Sequence, residues 1–221
     1  LEYGIIAGIL VVSYLFGSVP FGLIIGKALY GTDIRQHGSG NIGATNAYRT
    51  LGPLPGLGVF AADFLKGFLP VMLTNTVLEP VEPELVPLVS ILAGVIAMIG
   101  HNYSVFLKFK GGKGMSTAGG FIAAIWPQIV PILFIVWVIV IAVTRYVSLA
   151  SIIIAVLFPI LVIVLDPSRL RGEYVLFSAI AGAVIVYRHR MNIGRLIAGT
   201  ELKIGMKPKK KGKKPEGDSA E

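Results

Sequence analysis

Nearly uncharged apolar sequence returns again and again along this chain at or near membrane length, over residues 4–29, 54–78, 85–106, 116–126, 129–143, 149–165 and 174–187, with breaks at glycine, proline or charge. A bilayer core takes about 20 apolar residues per helix and holds no water to satisfy a bare peptide group, so such runs must fold as helices. The expectation is an all-α, polytopic integral membrane protein of about seven transmembrane helices. With 221 residues, of which 14% are charged, no length is left for a separate soluble domain. Residues 1–202 are expected to form one membrane domain, and 203–221 a basic, disordered cytoplasmic tail. The run at 116–126 is too short to cross alone at about 1.5 Å per residue, so a tilted or half-spanning helix is expected there. Pro20, Pro70, Pro131 and Pro159 lie inside apolar runs, where each removes a backbone donor and is expected to kink its helix. The first run follows Glu2 rather than a basic segment and shows no clear cleavage pattern, so it reads as a retained helix.

Basic residues set the orientation. Lys27, Arg35 and Arg49 follow the first run, Lys108, Lys110 and Lys113 the third, Arg145 the fifth, and Arg188, Arg190 and Arg195 the seventh. These regions are expected on the cytoplasmic side, while Glu2 and the connection carrying Glu79, Glu82 and Glu84 face outward. The N-terminus is therefore expected outside and the C-terminus inside. The loop at 166–173 mixes Arg169 and Arg171 with Asp166 and Glu173 and is placed outside by the alternation alone. Much of the net charge of +8 sits in the tail, where lysines between 203 and 214 face only Glu216, Asp218 and Glu221. That run reads as a solvated tail with weak adhesion to anionic lipid. It lacks interleaved aromatics, which argues against nucleic-acid binding. The chain has no cysteine, which excludes disulfides, thiolate metal sites and a cysteine nucleophile, and its three isolated histidines lack metal-ligand spacing.

Three polar strings interrupt the apolar pattern. In SGNIGATNAYRTLG, residues 39–52, Gly38, Gly40 and Gly43 permit turns that aim successive amides at one point. Ser39, Asn41, Thr45 and Asn46 add side-chain donors, and Arg49 lies one helical turn beyond Asn46. An ordinary glycine-rich turn is the plainer alternative, but the density of polar groups favours an oxyanion site. In FKGGKGMST, residues 109–117, Gly111, Gly112, Lys113 and Gly114 lead into Ser116 and Thr117 at the start of an apolar helix, bringing amides, a helix N-terminus and a cation together. Lys113 is followed by Gly114 rather than Ser or Thr, so this is no nucleotide-binding P-loop. In RHRMNIGRLIAGTE, residues 188–201, His189, Asn192 and Arg195 recur at helical spacing, and Glu201 is expected either to pair with a loop cation or to cap this segment. Asp63 and Lys66, the charges within a span, are spaced to pair on one helix face, which reads as structural rather than as a transport path.

Together SGNIGATN with Arg49, GHNYSVFLKFKGGKG and RHRMNIGRLIAGTE resemble the bacterial membrane glycerol-3-phosphate acyltransferases that use acyl phosphate as donor, the PlsY type. The resemblance extends over nearly the whole chain apart from the lysine tail. Ser104 and Met115 depart from the proline and valine usual there, changes that touch packing more than phosphate binding. The resemblance implies transfer of a fatty acyl group from acyl phosphate to the 1-hydroxyl of sn-glycerol 3-phosphate. The products are lysophosphatidic acid and phosphate, in the first step of phospholipid synthesis. It further implies a bacterial cytoplasmic (inner) membrane with the active site toward the cytoplasm, no cofactor, and a separate soluble enzyme that forms the acyl phosphate.

By the same resemblance Ser39, Arg49, Lys113, His189 and Asn192 are the catalytic candidates. Gly40, Asn41, Thr45, Asn46, His101, Lys110, Gly111, Gly112, Gly114, Thr117, Ser148, Arg195 and Glu201 are expected to bind substrate. The base stays open between the neutral imidazole of His189 and the phosphate of the donor itself. His101, beside Asn102 at a helix end, could equally be a structural hydrogen-bonder. The histidine–aspartate spacing of acyl-CoA-dependent acyltransferases is absent. A membrane transporter of phosphate or organic phosphates is the alternative, disfavoured by the lack of an internal repeat.

Overall fold

The computed structural model describes residues 2–166 and 172–206, and its regular structure is helical throughout, with no strand among the described residues. Arg169 and Arg171 of the mixed-charge loop, and the tail from residue 207, lie outside the described residues.

The first apolar run is divided between two helices, α1 (Glu2–Ser18) and α2 (Phe21–Tyr30), which meet at a 42° bend. Pro20 sits in that break, where its missing N–H and fixed ring interrupt the helical ladder. A short amphipathic helix, α3 (Ala44–Leu51), follows, and then the long α4 (Pro53–Leu78) and α5 (Val86–Asn102). After them come α6 (Met115–Ile125), α7 (Val130–Thr144), α8 (Val147–Leu165), α9 (Gly172–Arg188) and the short α10 (Arg190–Ile197). Three segments are long and apolar enough to cross a bilayer alone, namely α4, α8 and α5 with its flanking turns, and the bent pair counts as a fourth if taken as one span. Pro70 and Pro159 lie inside α4 and α8, whereas Pro131 opens α7, so the expected kink there is replaced by a helix start.

Helices α4 and α6 pack backbone to backbone. A methyl group on Gly67 would fall 1.9 Å from the Thr117 carbonyl oxygen, and one on Gly120 would fall 1.9 Å from that of Phe64. Small residues that admit such close approach are the usual substitute for the hydrophobic effect between helices in lipid. The ends of α6, α8 and α9 are pinned by aromatics: the Trp126 ring meets Phe158 and Tyr174 edge-on at 5.4 and 5.3 Å, and its Nε1–H donates to Asp166. The opposite ends of α6 and α9 hold the second and third polar strings, and that of α8 brings Ser148 to Glu201.

Candidate active site

A cavity of about 510 Å³ is walled by the starts of α3, α4, α6 and α8, the end of α5 and the turn from α9 into α10. Ser39, Asn41, Thr45, Asn46, Arg49, His101, Lys113, Gly114, Ser148, His189, Asn192 and Glu201 all border it, so one site draws on all three polar strings.

The first loop is organised around Asn46, which is 1% exposed. Its Oδ1 accepts the Ser39 amide at 2.8 Å, and its Nδ2 donates to the carbonyls of Ile34, Asn41 and His37 at 2.7, 2.8 and 3.2 Å. This side chain is therefore a strut whose polar atoms are already engaged. The amides of Gly40 and Gly43 are bonded to His37 O and Asn41 Oδ1. The amides left over include those of Ala44 and Thr45 at the N-terminus of α3, beside the hydroxyls of Ser39 and Thr45. Arg49 donates through Nη2 to the Leu202 carbonyl at 2.9 Å and keeps an unpartnered Nε. Burial lowers its pKa, and the Glu201 charge opposes that fall.

The second loop departs from expectation at two glycines. The Gly111 and Gly112 amides donate to the carbonyls of Asn102 and His101 at 3.2 and 3.0 Å, and their own carbonyls accept from the Arg188 guanidinium. Both peptide groups are occupied in shaping the loop and offer a phosphate no donor. Gly114, at φ 78°, turns the chain into α6, whose first turn borders the cavity beside Lys113. The Lys113 ammonium donates to Asn192 Oδ1 at 2.6 Å. Its pKa falls to about 8, chiefly by burial and against the pull of Glu201.

The third string supplies a carboxylate hub. Glu201, 6% exposed, accepts at Oε1 from Ser148 Oγ at 2.7 Å and from Asn192 Nδ2 at 2.6 Å, and at Oε2 from Arg195 Nε at 2.6 Å. Burial alone would raise its pKa, but hydrogen bonds from Asn192, Ser148 and Arg195 outweigh it and hold the group below the usual range. The chain Glu201–Asn192–Lys113 thus fixes the ammonium without neutralising it directly. His189 places Nδ1 2.8 Å from the Ile185 carbonyl. A carbonyl only accepts, so Nδ1 carries the proton and Nε2 presents a lone pair. Burial, reinforced by the Lys113 charge, pushes its pKa down to about 4.

Other expected site residues lie elsewhere. Gly40, Lys110 and Gly111 border a second cavity of about 680 Å³ with Arg35 and Arg188. Thr117 is fully buried with its hydroxyl unpartnered, and Gly112 and Arg195 act through His101 and Glu201 respectively, outside both cavity walls. Lys203 and Ile204, assigned to the tail by composition, pack on the α7–α8 turn. Lys203 lies over the Tyr146 ring, and Ile204 exchanges hydrogen bonds with Arg145.

Sequence reasoning also missed part of the wall. Asp63 and Lys66 do form the expected pair, at 2.7 Å, but Asp63 also borders the cavity. Pro53, Gly56, Phe60 and Asp63 recur every three or four residues, a helical face that spacing alone could have linked. The apolar side, formed by Leu57, Phe60, Met115, Trp137 and Ile204, carries no comparable signal in sequence.

A model of the family described as glycerol-3-phosphate acyltransferase matches residues 7–199. Glycerol-3-phosphate acyltransferase 2 of Moorella thermoacetica is 46% identical over 196 residues, covering 89% of this chain and 96% of the relative. Glycerol-3-phosphate acyltransferase of Desulforamulus reducens is 43% identical over 200 residues, covering 90% and 95%. Among solved structures, the glycerol 3-phosphate form of PlsY (YgiH), an integral membrane glycerol 3-phosphate acyltransferase, is similar with a TM-score of 0.79 at 39% identity, over 90% of this chain and 96% of that one. Its lysophosphatidic acid form gives 0.78.

Proposed function

The chain belongs to the glycerol-3-phosphate acyltransferase family, and on that premise we propose that it transfers a fatty acyl group from acyl phosphate to the 1-hydroxyl of sn-glycerol 3-phosphate. Lysophosphatidic acid and inorganic phosphate are the products, and the reaction opens phospholipid synthesis. The observation that carries this reading is the single cavity in which two cations, two helix N-termini and a neutral imidazole meet an apolar wall. Both substrates bear phosphate and one bears a lipid tail, so the two kinds of wall match the two parts of the donor.

In this reading Arg49, Lys113 and the free amides of α3 and α6 hold the phosphates, and the acyl chain lies along Phe60 and Trp137. The 1-hydroxyl oxygen attacks the acyl carbonyl carbon, the bond from that carbon to the phosphate oxygen breaks, and the hydroxyl proton leaves with the departing phosphate. A base with a pKa of about 4 gives little driving force near neutral pH. His189 Nε2 therefore accepts from the hydroxyl and aims it, while the donor phosphate takes the proton. The cations are already in place as charge develops on carbonyl and phosphate, which is where fixed electrostatics lower a barrier most.

The same geometry supports seven crossings with the N-terminus outside. The starts of α4, α6 and α8 and the ends of α5 and α9 border one cavity, so these helices alternate in direction, and α7 returns between α6 and α8. The cations in that cavity belong to the loops that the positive-inside rule assigns to the cytoplasm of a bacterial inner membrane. Membrane lipids and a soluble enzyme that makes acyl phosphate are the partners this chemistry requires. A phosphate transporter is disfavoured, because the charged residues within α4 are paired with each other.

The test is acyl transfer by purified protein to labelled sn-glycerol 3-phosphate, with palmitoyl phosphate and palmitoyl-CoA offered in parallel and Arg49→Ala as control. Lysophosphatidic acid from the phosphate donor alone, lost in the control, is the expected result. No product from either donor in folded protein would refute the proposal and make phosphate-linked transport the next question.

A further inference from the structure

Beneath the second loop lies a buried group of charges that the mechanism above does not use. Lys66 Nζ sits 2.7 Å from Asp63 Oδ1 and 3.3 Å from His101 Nδ1, with side-chain exposures of 1% for Lys66, 2% for Asp63 and 4% for His101. The distance from His101 Nδ1 to Asp63 Oδ1 is 3.6 Å, beyond hydrogen-bonding range. Lys66, paired with the Asp63 carboxylate, is taken as an ammonium, and its closer approach then sets the sense of the contact. An ammonium only donates, so the imidazole nitrogen facing it must offer a lone pair, and the proton of the neutral ring then sits on Nε2.

We infer that His101 is held by Lys66 as the Nε2–H tautomer and donates a hydrogen bond to a phosphate oxygen of bound substrate, in the opposite sense to His189. This rests on the acyl-transfer reading for the identity of the acceptor, while the tautomer stands on geometry alone. The ring borders the cavity, and among the described residues its Nε2 meets no hydrogen-bonding group. Gly112 keeps the ring edge clear, since a methyl group there would lie 2.1 Å from Nε2. The His101 carbonyl accepts the Gly112 amide, so the ring is tied to the loop that carries Lys113 and leads into the N-terminus of α6. A neutral donor at that point adds to phosphate recognition without another buried positive charge. Asp63 and Lys66 are positioning residues: they touch His101, and His101 touches substrate.

The side-chain amide of glutamine can reproduce an Nε2–H donor, and that of asparagine falls near Nδ1. His101→Gln is therefore expected to keep kcat/KM for glycerol 3-phosphate within about threefold, while His101→Asn loses roughly 10- to 150-fold, the range for a hydrogen bond to a charged group. Equal activity in the two variants would overturn the proposal. Nitrogen-15 NMR of histidine-labelled wild-type protein, assigned with His37→Gln and His101→Gln, supplies a readout independent of the fold of His101→Asn. Opposite tautomers at positions 101 and 189 are expected, and a protonated or Nδ1–H ring at 101 would refute the tautomer. Should wild type form no lysophosphatidic acid while the tautomers prove opposite, the acyl-transfer reading fails and the ring assignment survives. A substrate-induced shift of the His101 Nε2 resonance on adding glycerol 3-phosphate or inorganic phosphate is expected, and its absence with both would remove the phosphate contact.

Discussion

Glu201→Gln keeps the shape of the hub and removes its charge. The carboxylate accepts two bonds at Oε1 and one at Oε2. A glutamine must turn its amide nitrogen either toward Arg195, which donates, or toward Ser148 and Asn192, which also donate, so at least one bond becomes a donor–donor clash. The remaining bonds fall from charge-assisted strength, about 1.5–3 kcal/mol each, to neutral strength, about 0.5–1.5. Since the Arg195 side chain is 35% exposed, water recovers part of its loss, which leaves roughly 2–4 kcal/mol removed from the organisation of the site. Asn192, no longer anchored, cannot hold Lys113, and the lysine also loses the charge that supports its protonation. In wild type kcat/KM should fall as pH rises through about 8, where Lys113 gives up its proton. In the variant that fall should begin at lower pH, with kcat/KM at neutral pH down roughly 30- to 1,000-fold. The assay is lysophosphatidic acid formation from palmitoyl phosphate and labelled glycerol 3-phosphate, in nanodiscs, between pH 6 and 9.5. An alkaline limb that stays in place, or a loss under fivefold throughout, would refute the linkage from carboxylate to ammonium.

Further expectations follow from the same geometry. His189→Ala should mainly raise KM for glycerol 3-phosphate with kcat largely kept at saturation, and a drop in kcat of about 10³ or more would restore the imidazole as base. With a folded pKa of about 4 against an ordinary 6.5, His189 binds fewer protons in the native state, so stability rises with pH between these values and is lost as pH falls. Apparent melting temperature between pH 4.5 and 7 should therefore slope less in His189→Gln than in wild type, and equal slopes would count against the buried neutral ring. Trp137→Ala with Phe60→Ala should raise KM for palmitoyl phosphate and leave KM for glycerol 3-phosphate unchanged; parallel increases would show that this wall does not hold the acyl chain. Gly67→Ala drives a methyl group to 1.9 Å from a backbone oxygen and should cost about 1–3 kcal/mol, read as a lower melting temperature than for Gly8→Ala, whose site is open.

Apolar length and the placement of glycine and proline located α4 to α9 to within a few residues, because in lipid a helix is almost the only way to satisfy the backbone, whereas the first run, read as one helix, is divided at Pro20 into α1 and α2. The three polar strings were equally visible, since density of donors and cations is a local property. What each group does there was less legible. Asn46 and Gly112 carry donors by composition, yet tertiary contacts consume those donors, and no local signal distinguishes a spent amide from a free one. Asp63 reads as half of an ion pair, which it is. Its spacing from Pro53, Gly56 and Phe60 marks one helical face, but that this face turns toward the cavity is set by packing.

Glu201 also bears on how the protein is made. It follows α1 to α10, and beyond it Leu202 receives Arg49, and Ile204 clasps Arg145. During synthesis α1 to α10 are therefore made before the clasp that aims Lys113 can close. A product released early by the ribosome would carry both phosphate-seeking loops and no means of aligning them. The order of the chain is thus an order of assembly, and a reactive acyl donor meets an aligned Lys113 only after Glu201 has joined the helices before it.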